Sequence, residues 1–282
     1  MAQCARSDPA TIRQVETLLE GGAFFESPRW HDGRWWFSDF FRGVVIAGGE
    51  ELVRVPGMPS GLGWLPDGTL LLVSMRDRRV LRLVDGQLVL HADLAALCDW
   101  HANDMVVDAD GRAYVGNFGF DLGAEEPRPT GLVCVEADGS AKRVAEGLMF
   151  PNGTVLHDRT LIVGETYGAR LTEFTVEADG MLSDRRLFAE VPGMAPDGCT
   201  LDAEGCVWFA DARSNRCVRV ARGGEIADVV TVPEGLRCFA CMLGGHDGRT
   251  LALCAASSYD EAKPHDAVVL TTRVPVPHAG LP

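Results

Sequence analysis

The sequence predicts an all-β protein, a six-bladed β-propeller closed by an N-terminal strand that completes the last blade. Two observations carry this prediction. Six motifs of one pattern recur at intervals of 35 to 48 residues, and a second hairpin-like segment follows five of them. A repeat of about 40 to 50 residues that contains four strands is typical of a propeller blade.

Each recurring motif is a turn that leads into a strand. The six motifs pair an acidic residue with glycine or arginine and continue as an apolar run: HDGRWWFSD, PDGTLLLVS, ADGRAYVGN, HDRTLIVGE, AEGCVWFAD and HDGRTLALC. Asp-Gly between apolar runs is a strong hairpin signal because type I′ turns need positive φ. Runs rich in Val, Leu, Trp and Phe favour strands. Each motif therefore predicts the first hairpin of a blade.

The second hairpin is missing from the sixth repeat. Segments such as VVIAGGEELVRV and VLRLVDGQLVLH place Gly-Gly or Asp-Gly between strand-like halves, whereas the sixth repeat ends in AVVLTTRVPV without a return strand. Residues 14–20, QVETLLE, precede the first blade and are strand-like. We expect them to pair beside AVVLTTRV, which would remove an exposed sheet edge. Residues 1–282 then form a single propeller domain, with 1–13 and 276–282 as loosely ordered tails.

Composition and charge limit the partners of the protein. The 282 residues are 46% hydrophobic and 23% charged, a globular composition, and the net charge is −14. Such a negative charge repels nucleic acid and anionic membranes. No apolar run suits a transmembrane helix, and the first residues do not resemble a secretory signal. We expect a cytoplasmic protein with nine reduced cysteines and a small-molecule substrate; a monomer and a dimer are both compatible with the sequence.

Oxygen-bearing side chains recur at one place in the predicted blades, shortly before the turn of the first hairpin. When the repeats are aligned, Glu26, Asn103, Asn152 and Asp197 stand near the start of the innermost strand. Equivalent positions of a propeller converge on one mouth of the central channel, so we expect these residues to meet. Two carboxylates and two amides suit Ca²⁺, Mg²⁺ or Mn²⁺, with Zn²⁺ as a further option. For Asn152 or Asp197 alone, an Asn-Gly or Asp-Gly turn is the alternative.

The segments around these residues resemble a known family. ESPRW, NDMVVDADGRAYVGN, FPNGTVL and PDGCTLDAEGCVWFAD are similar, in the same order, to motifs of the senescence marker protein (regucalcin), gluconolactonase and luciferin-regenerating enzyme family, and the resemblance covers about residues 14–275. It implies a six-bladed propeller and a metal-dependent lactonase, which is a carboxylic ester hydrolase. It also implies that Glu26, Asn152 and Asp197 bind one divalent cation, with Ca²⁺ as the leading candidate.

The resemblance further implies catalytic roles. Asp197 is the expected general base or water-orienting residue, and Asn103 is expected to orient the substrate or a water. One position departs from the family pattern, because lactonases of sugar substrates often carry arginine where this sequence has His101. Histidine is a shorter and weaker donor than arginine, but its ordinary pKa near 6.5 suits proton transfer. A loop histidine that only forms hydrogen bonds is the alternative.

The remaining substrate contacts are predicted from their positions in loops. We expect the substrate to touch Trp100, His101, Asn103, Asn117, Phe118, Met149 and Tyr167. The residues expected around the site are mostly apolar: Trp100, Phe118, Phe120, Met149, Phe150, Met194 and Phe239. An apolar or aromatic lactone is therefore predicted rather than a sugar lactone. Asn117 has an alternative structural role, because polar residues recur at its place in other blades, at Asp39, Glu165 and Asp211.

Three other functions remain compatible with the sequence. The Glu-Asn-Asn-Asp set suits hydrolysis of P–F or P–O bonds in organophosphates equally well. The histidine in place of arginine leaves room for a lyase or isomerase reaction at the same metal. A non-catalytic metal-binding propeller is the third. A serine hydrolase and a nucleotide-binding enzyme are not expected, because the G-x-S-x-G, P-loop and G-x-G-x-x-G motifs are absent.

Overall fold

The computed structural model describes residues 13–261 and 266–282. Within these ranges the chain forms 24 β-strands and no α-helix, and the strands are arranged in six four-stranded sheets. No helix there is long and apolar enough to cross a membrane. Each sheet is antiparallel and its strands follow one another in chain order, apart from the sheet that closes the ring. The predicted six-bladed propeller is confirmed.

Each of the first five blades takes four consecutive strands. Blade 1 contains β2 (Phe25–His31), β3 (Arg34–Asp39), β4 (Val44–Ala47) and β5 (Glu50–Arg54). Blade 2 contains β6 (Pro59–Trp64), β7 (Leu70–Ser74), β8 (Arg79–Val84) and β9 (Gln87–Asp93). Blade 3 contains β10 (Ala102–Val107), β11 (Ala113–Asn117), β12 (Thr130–Val135) and β13 (Ala141–Leu148). Blade 4 contains β14 (Pro151–His157), β15 (Thr160–Glu165), β16 (Arg170–Val176) and β17 (Leu182–Glu190). Blade 5 contains β18 (Pro196–Leu201), β19 (Val207–Asp211), β20 (Arg216–Val220) and β21 (Ile226–Thr231).

Blade 6 is completed by the N-terminal strand, as predicted. It contains β22 (Arg237–Gly244), β23 (Thr250–Ala256), β24 (Ala267–Arg273) and β1 (Glu16–Gly22). β1 runs antiparallel to β24, with Glu16 opposite Thr271 and Gly22 opposite Ala267. The sixth repeat supplies only three strands of its own, so β1 covers an edge that would otherwise expose unpaired N–H and C=O groups.

The turns of the first hairpins are of two kinds, whereas one kind was predicted. In blade 1, Asp32 and Gly33 both have positive φ, 49° and 72°, as a type I′ turn requires. In blade 2 only the glycine of Asp67-Gly68 has positive φ, and the Asp67 carboxylate accepts a hydrogen bond from Thr69 N (2.9 Å). Asp-Gly thus marks a hairpin in both cases, but the aspartate side chain caps the turn in the second.

Burial decreases from the channel to the rim of each blade. Every residue of the innermost strand β10 is buried, whereas the outermost strands β5 and β9 are mostly exposed. The apolar clusters lie between neighbouring blades and hold the innermost strands around the channel. Side chains that point into the channel therefore rest on a well-packed frame.

The C-terminal segment 276–282 is not a loose tail, in contrast to the prediction. His278 N donates to Gly248 O (2.8 Å), and Leu281 N donates to Leu156 O (2.7 Å). Val276 is buried, and Leu281 packs against the apolar cluster of blades 3 and 4. The segment therefore crosses from blade 6 to blade 4, at the ends of the innermost strands, because its apolar residues find cover there.

The other predicted tail, 1–13, lies outside the described residues except for its last member. Arg13 Nη1 lies 2.5 Å from Asp228 Oδ1 in an ion pair of low exposure. This contact ties the start of the described chain to blade 5.

The buried imidazole of His278, in the C-terminal segment, is expected to make the folded protein less stable in acid. Its Nε2 is buried without a hydrogen-bond partner in the described part of the chain, and burial lowers the pKa of this imidazole to about 4. The unfolded chain gains this proton near pH 6.5 and the folded chain only near pH 4. The free energy of unfolding should therefore drop by up to about 3 kcal/mol as the pH falls through this range.

The measurement is urea denaturation at several pH values between 7.5 and 4.5. His278→Gln should flatten the pH dependence relative to the unmodified protein. His157→Gln, at the exposed end of β14, serves as the control and should not. Equal slopes for His278→Gln and the unmodified protein would contradict the expectation.

The cysteines differ from the prediction in one case. Burial raises the pKa of Cys98 and of Cys134 to about 12, which makes these thiols unreactive. Cys206 is disulfide-bonded, so the prediction that all nine cysteines are reduced is wrong for this residue. The free cysteines in the described ranges are all buried: Cys98, Cys134, Cys199, Cys217, Cys238, Cys241 and Cys254.

Candidate active site at the mouth of the channel

The innermost strand of every blade carries one extra residue near its start. In β14, Pro151 lies opposite Glu165 and Thr154 lies opposite Val163, so three steps on one strand match two on its neighbour. The register shifts at the corresponding place in β2, β6, β10, β18 and β22. A β-bulge of this kind bends the strand and redirects side chains.

Three of the predicted oxygen donors lie in these bulges, and the fourth, Glu26, directly precedes one. Glu26, Asn103, Asn152 and Asp197 are each less than 8% exposed, and all four line one cavity of about 210 Å³. Asn152 and Asp197 lie within strands β14 and β18, so the alternative of a simple turn at these positions is wrong. Residues from four blades thus converge at one place, as repeat equivalence predicted.

Glycine after Asn152 and after Asp197 allows the innermost strands to approach each other. A Cβ atom on Gly153 would lie 2.3 Å from Asp197 O, and a Cβ atom on Gly198 would lie 2.7 Å from Ala240 Cβ. Both distances are too short for any other residue without a shift of the backbone. The Asn-Gly and Asp-Gly dipeptides therefore serve close packing around the channel.

The two carboxylates of the site are strongly perturbed by burial. Burial raises the pKa of Glu26 well above its ordinary value, the charges of Asp197 and Asp104 raise it further, and Ser27 N, which donates to Glu26 Oε2 (3.0 Å), opposes them. Burial also raises the pKa of Asp197, with the charge of Asp104 adding to it and a hydrogen bond from Asn152 opposing it. Such carboxylates gain a large stabilisation from a bound cation.

Arg29 and Asp104 form a buried ion pair beside these carboxylates, and neither was predicted as a site residue. Arg29 Nη2 lies 2.6 Å from Asp104 Oδ1, and both side chains are at most 6% exposed. Ser27 Oγ donates to the same oxygen (3.1 Å). The sequence signal that could have identified Arg29 and Asp104 is the presence of charged residues inside the apolar strand motifs ESPRW and NDM. With Glu26 and Asp197 the group has a net charge of −2, which a divalent cation would balance.

The donor set fits a hard divalent cation. Asn152 Nδ2 donates to Thr166 Oγ1 (3.2 Å), which donates to Pro196 O (2.7 Å), so Asn152 Oδ1 is left as an oxygen donor for the cavity. Asn103 Nδ2 and Ser60 Oγ are buried without a partner among the described residues. Across residues 13–261 and 266–282 no three His, Cys, Asp or Glu side chains are grouped to hold a metal. Amide oxygens must therefore complete the ligands, which suits Ca²⁺ better than Zn²⁺.

A family model described as the SMP-30/Gluconolactonase/LRE-like region matches residues 24–257. The chain belongs to this family. The matched region contains all four oxygen donors and leaves out β1, β24 and the C-terminal segment. The resemblance predicted from the sequence motifs is confirmed.

Two curated proteins and one solved structure are similar to this SMP-30/gluconolactonase family member. The chain is 30% identical over 191 residues to 6-deoxy-6-sulfogluconolactonase of Pseudomonas putida, a match that spans 64% of each protein. It is 28% identical over 214 residues to pentonolactonase XacC of Haloferax volcanii, covering 70% of this chain and 69% of the relative. Its fold is similar to that of the calcium-binding protein regucalcin of Agrobacterium tumefaciens str. C58, with a TM-score of 0.80, 20% identity and coverage of 97% and 98%.

In this family member, aromatic rings form much of the cavity wall. Phe118 stacks on Phe150 with ring centroids 4.3 Å apart, and Tyr167 lies 5.4 Å from Phe150. A second aromatic group also lines the cavity: Phe24, Phe40, Phe239 and Tyr259. Of the predicted substrate contacts, Asn103, Phe118 and Tyr167 line the cavity.

Asn117 does not line the cavity, in contrast to the prediction. Its side chain is fully buried, with Nδ2 donating to Gly131 O (2.8 Å) and Oδ1 accepting from Thr130 Oγ1 (2.8 Å). Its hydrogen-bonding capacity is thus used within blade 3. Carboxylates at the equivalent positions accept hydrogen bonds from backbone N–H groups just before the innermost strands: Asp39, Glu165 and Asp211. The position is structural in all four blades.

Trp100, His101 and Met149 also lie outside the cavity lining. The ring of His101 lies 5.1 Å from that of Trp100 and 5.7 Å from that of Phe118. Burial lowers the pKa of His101, and the charge of Arg76 adds to the effect, so the imidazole is neutral near pH 7. His101 precedes the bulge that presents Asn103 and packs between Trp100 and Phe118.

Proposed function

We propose that the protein is a cation-dependent lactonase that opens a small lactone with a mostly apolar ring. The observation that carries the proposal is the convergence of Glu26, Asn103, Asn152 and Asp197 on one buried cavity. The names of the two curated relatives, a sulfogluconolactonase and a pentonolactonase, support the reaction class. The regucalcin likeness supports Ca²⁺ as the cation.

Glu26, Asn152 and Asp197 would hold the cation, with Asn103 close by. When bound, the cation supplies Lewis-acid polarisation of the lactone carbonyl and compensates the charge that develops on its oxygen. Mg²⁺, Mn²⁺ and Zn²⁺ remain candidates to be compared with Ca²⁺. Ser27, in the bulge of β2, and Arg29, directly after it, both donate to Asp104. These contacts would fix the strand that carries Glu26.

Asp197 is the residue proposed to orient the attacking water and to accept its proton. The water oxygen forms a bond to the carbonyl carbon, and the bond between that carbon and the ring oxygen breaks. The proton passes to the released alkoxide. The product is a hydroxy acid, which is ionised at neutral pH and releases a proton. Asn103 Nδ2, which has no partner within the described ranges, is available to donate to a substrate oxygen.

The shape and lining of the cavity favour a small apolar ring. Its volume of about 210 Å³ lies below the ~300–1,000 Å³ of pockets for drug-sized ligands, so a single ring fits best. Phe118, Phe150 and Phe239 offer ring faces and few hydrogen bonds. His101 is not among the side chains that line the cavity, so the position where sugar lactonases often carry arginine adds no lining group. A lactone with few hydroxyl groups therefore suits the site.

Removal of divalent cations is expected to abolish lactone hydrolysis and to lower the thermal midpoint. Protein treated with a chelator and then supplied with Ca²⁺, Mg²⁺, Mn²⁺ or Zn²⁺ is assayed by proton release on a panel of simple lactones. Ca²⁺ at 100 times its Kd should add about 2.7 kcal/mol to the free energy of unfolding, because it binds the folded protein only.

Unchanged turnover in chelator would contradict cation dependence. A cation-induced rise in the thermal midpoint without turnover of any lactone or ester would favour the non-catalytic alternative. Faster turnover of a fluorophosphate than of every lactone would favour the organophosphate alternative.

A further inference from the structure

Two arginines line the cavity together with the oxygen donors. Arg213 lies in the loop between β19 and β20, and Arg237 is the first residue of β22. Neither takes part in the proposed cation binding or water activation. Arg213 belongs to blade 5 and Arg237 to blade 6, and both line the same cavity as Asp197 of the innermost strand of blade 5.

The backbone brings these two arginines side by side. Cys238 N donates a hydrogen bond to Ser214 O (3.0 Å), and each of these residues directly follows one of the arginines. The hydrogen bond therefore joins the two segments one residue beyond Arg213 and Arg237. Their side chains emerge from adjacent points of the same cavity wall.

Neither guanidinium is neutralised by a carboxylate of the described chain. Arg237 Nε donates only to Ser257 O (3.3 Å), and its guanidinium carbon lies 5.3 Å from the centre of the Phe239 ring. By contrast, Arg216, three residues after Arg213, pairs with Asp211 (Nε to Oδ2, 3.0 Å). Most arginines in the part of the chain that the structure describes form such an ion pair with an acidic residue. Acidic residues outnumber basic ones by 40 to 26, so a shortage of carboxylates does not explain why Arg213 and Arg237 have no ion pair.

The arginines give the cavity two regions of opposite charge. The oxygen donors Glu26 and Asp197 make the cation region negative, and Arg213 and Arg237 make one wall positive. A protein with a net charge of −14 repels anionic ligands, so a local positive wall is needed to bind one. Guanidinium groups recognise planar carboxylates and tetrahedral oxyanions through several charge-assisted hydrogen bonds.

We infer that the substrate is a small lactone that carries an anionic substituent, a carboxylate or sulfonate, and that Arg213 and Arg237 bind this group. This inference rests on the proposed lactonase function. The anion lies at the arginine wall, and the lactone carbonyl lies at the oxygen donors. The aromatic rings between these regions cover the apolar part of the lactone ring.

The test compares lactones of equal shape and different charge. The probes are 5-oxotetrahydrofuran-2-carboxylate, its neutral 2-carboxamide and the corresponding 2-sulfonatomethyl lactone, each assayed with Ca²⁺-loaded protein. We expect kcat/KM to be at least about tenfold higher for an anionic lactone than for the carboxamide, since one charge-assisted contact is worth about this much. The carboxylate and sulfonate arms show which anion the wall prefers.

Substitution of the arginines is expected to remove this preference. In Arg213→Gln/Arg237→Gln the ratio of kcat/KM between the anionic lactone and the carboxamide should fall to near one. Arg249→Gln, at an exposed position on blade 6, is the control and should keep the ratio of the unmodified protein.

A binding measurement makes the test independent of turnover. The carbocyclic analogue 3-oxocyclopentane-1-carboxylate has no ester bond to hydrolyse, and its Kd should rise at least about tenfold in the double variant. Hydrolysis of both lactones at equal rates, with no change in the Kd of the analogue, would overturn the inference and leave the lactonase proposal intact. Tight, arginine-dependent binding of the analogue without hydrolysis of any lactone would support the anion site and contradict the lactonase.

Discussion

Replacement of Asp197 by alanine is expected to lower kcat/KM for lactone hydrolysis by about 10³ or more. The substitution removes a cation ligand and the proposed proton acceptor at once, and a general base alone contributes about 10²–10⁴. Steady-state kinetics on the best lactone of the panel measures the effect, and calorimetric titration measures Ca²⁺ affinity. Activity of Asp197→Ala equal to that of the unmodified protein would contradict the assignment.

Asp197→Asn separates the two roles of this carboxylate. The amide keeps one oxygen donor, so it should retain part of the Ca²⁺ affinity while losing most of the turnover. Without cation, Asp197→Asn should unfold at a higher temperature than the unmodified protein, because it removes a buried charge near Glu26 and Asp104. Glu50→Ala, at an exposed position on β5, is the control for both measurements.

Arg29→Met is expected to have the largest effect on stability, a loss of about 3–5 kcal/mol in the free energy of unfolding. Arg29 Nη2 contacts Asp104 Oδ1 (2.6 Å) and Met105 O (2.9 Å), and its Nε donates to Leu62 O (3.0 Å). A methionine of similar length fills the space but leaves the buried Asp104 carboxylate without its counter-charge and the carbonyl groups of Pro28, Leu62 and Met105 without this donor. Urea denaturation at pH 7 measures the loss.

Arg273→Met is the matched control for this prediction. Its ion pair with Asp247 is exposed on both sides, with side-chain exposures of 61% and 50%, so its removal should lower the free energy of unfolding far less than Arg29→Met does. The double variant Arg29→Met/Asp104→Leu should be more stable than Arg29→Met alone, because it removes the uncompensated charge as well. Equal losses for Arg29→Met and Arg273→Met would contradict the buried role of Arg29.

The same buried pair limits what substitutions at the cation site can reveal. A variant at Glu26 or Asp197 changes the charge balance around Arg29 and Asp104, so its stability and its activity are coupled. Measurements with and without Ca²⁺ separate these effects, since the cation binds only the folded protein. Variants of Arg213 and Arg237 avoid this coupling, because those arginines have no ion pair in the described chain.

Much of the fold was predictable because its signals are local and repeated. Asp-Gly turns and apolar runs are encoded within about ten residues, and six copies at similar spacing define six blades. The missing return strand of the last repeat predicted that residues before the first blade close the ring. The four oxygen donors were predictable for the same reason, since equivalent positions of a ring of repeats must meet at its centre.

Local patterns predicted the positions of side chains less well than the positions of strands. Asn117 and Asn103 are both asparagines near strand ends in blade 3, yet one is enclosed by Thr130 and Gly131 and the other faces the cavity. Asn103 lies in the bulge of the innermost strand β10, whereas Asn117 ends the second strand, β11. A single extra residue changes which side chain faces the channel, and alternation along the sequence does not reveal it.

The amino-acid pattern alone determined the number of blades, the strand that closes the ring and the four oxygen donors at the mouth of the channel. Packing between distant segments settled the rest. Arg29 meets Asp104 across 75 residues, Arg213 and Arg237 are joined through a hydrogen bond between blades, and the C-terminal segment crosses the ring to Leu156. These contacts depend on which blades are neighbours and on where each bulge directs its side chains. Both become defined when the ring closes and buried polar groups must find partners in the adjacent blade.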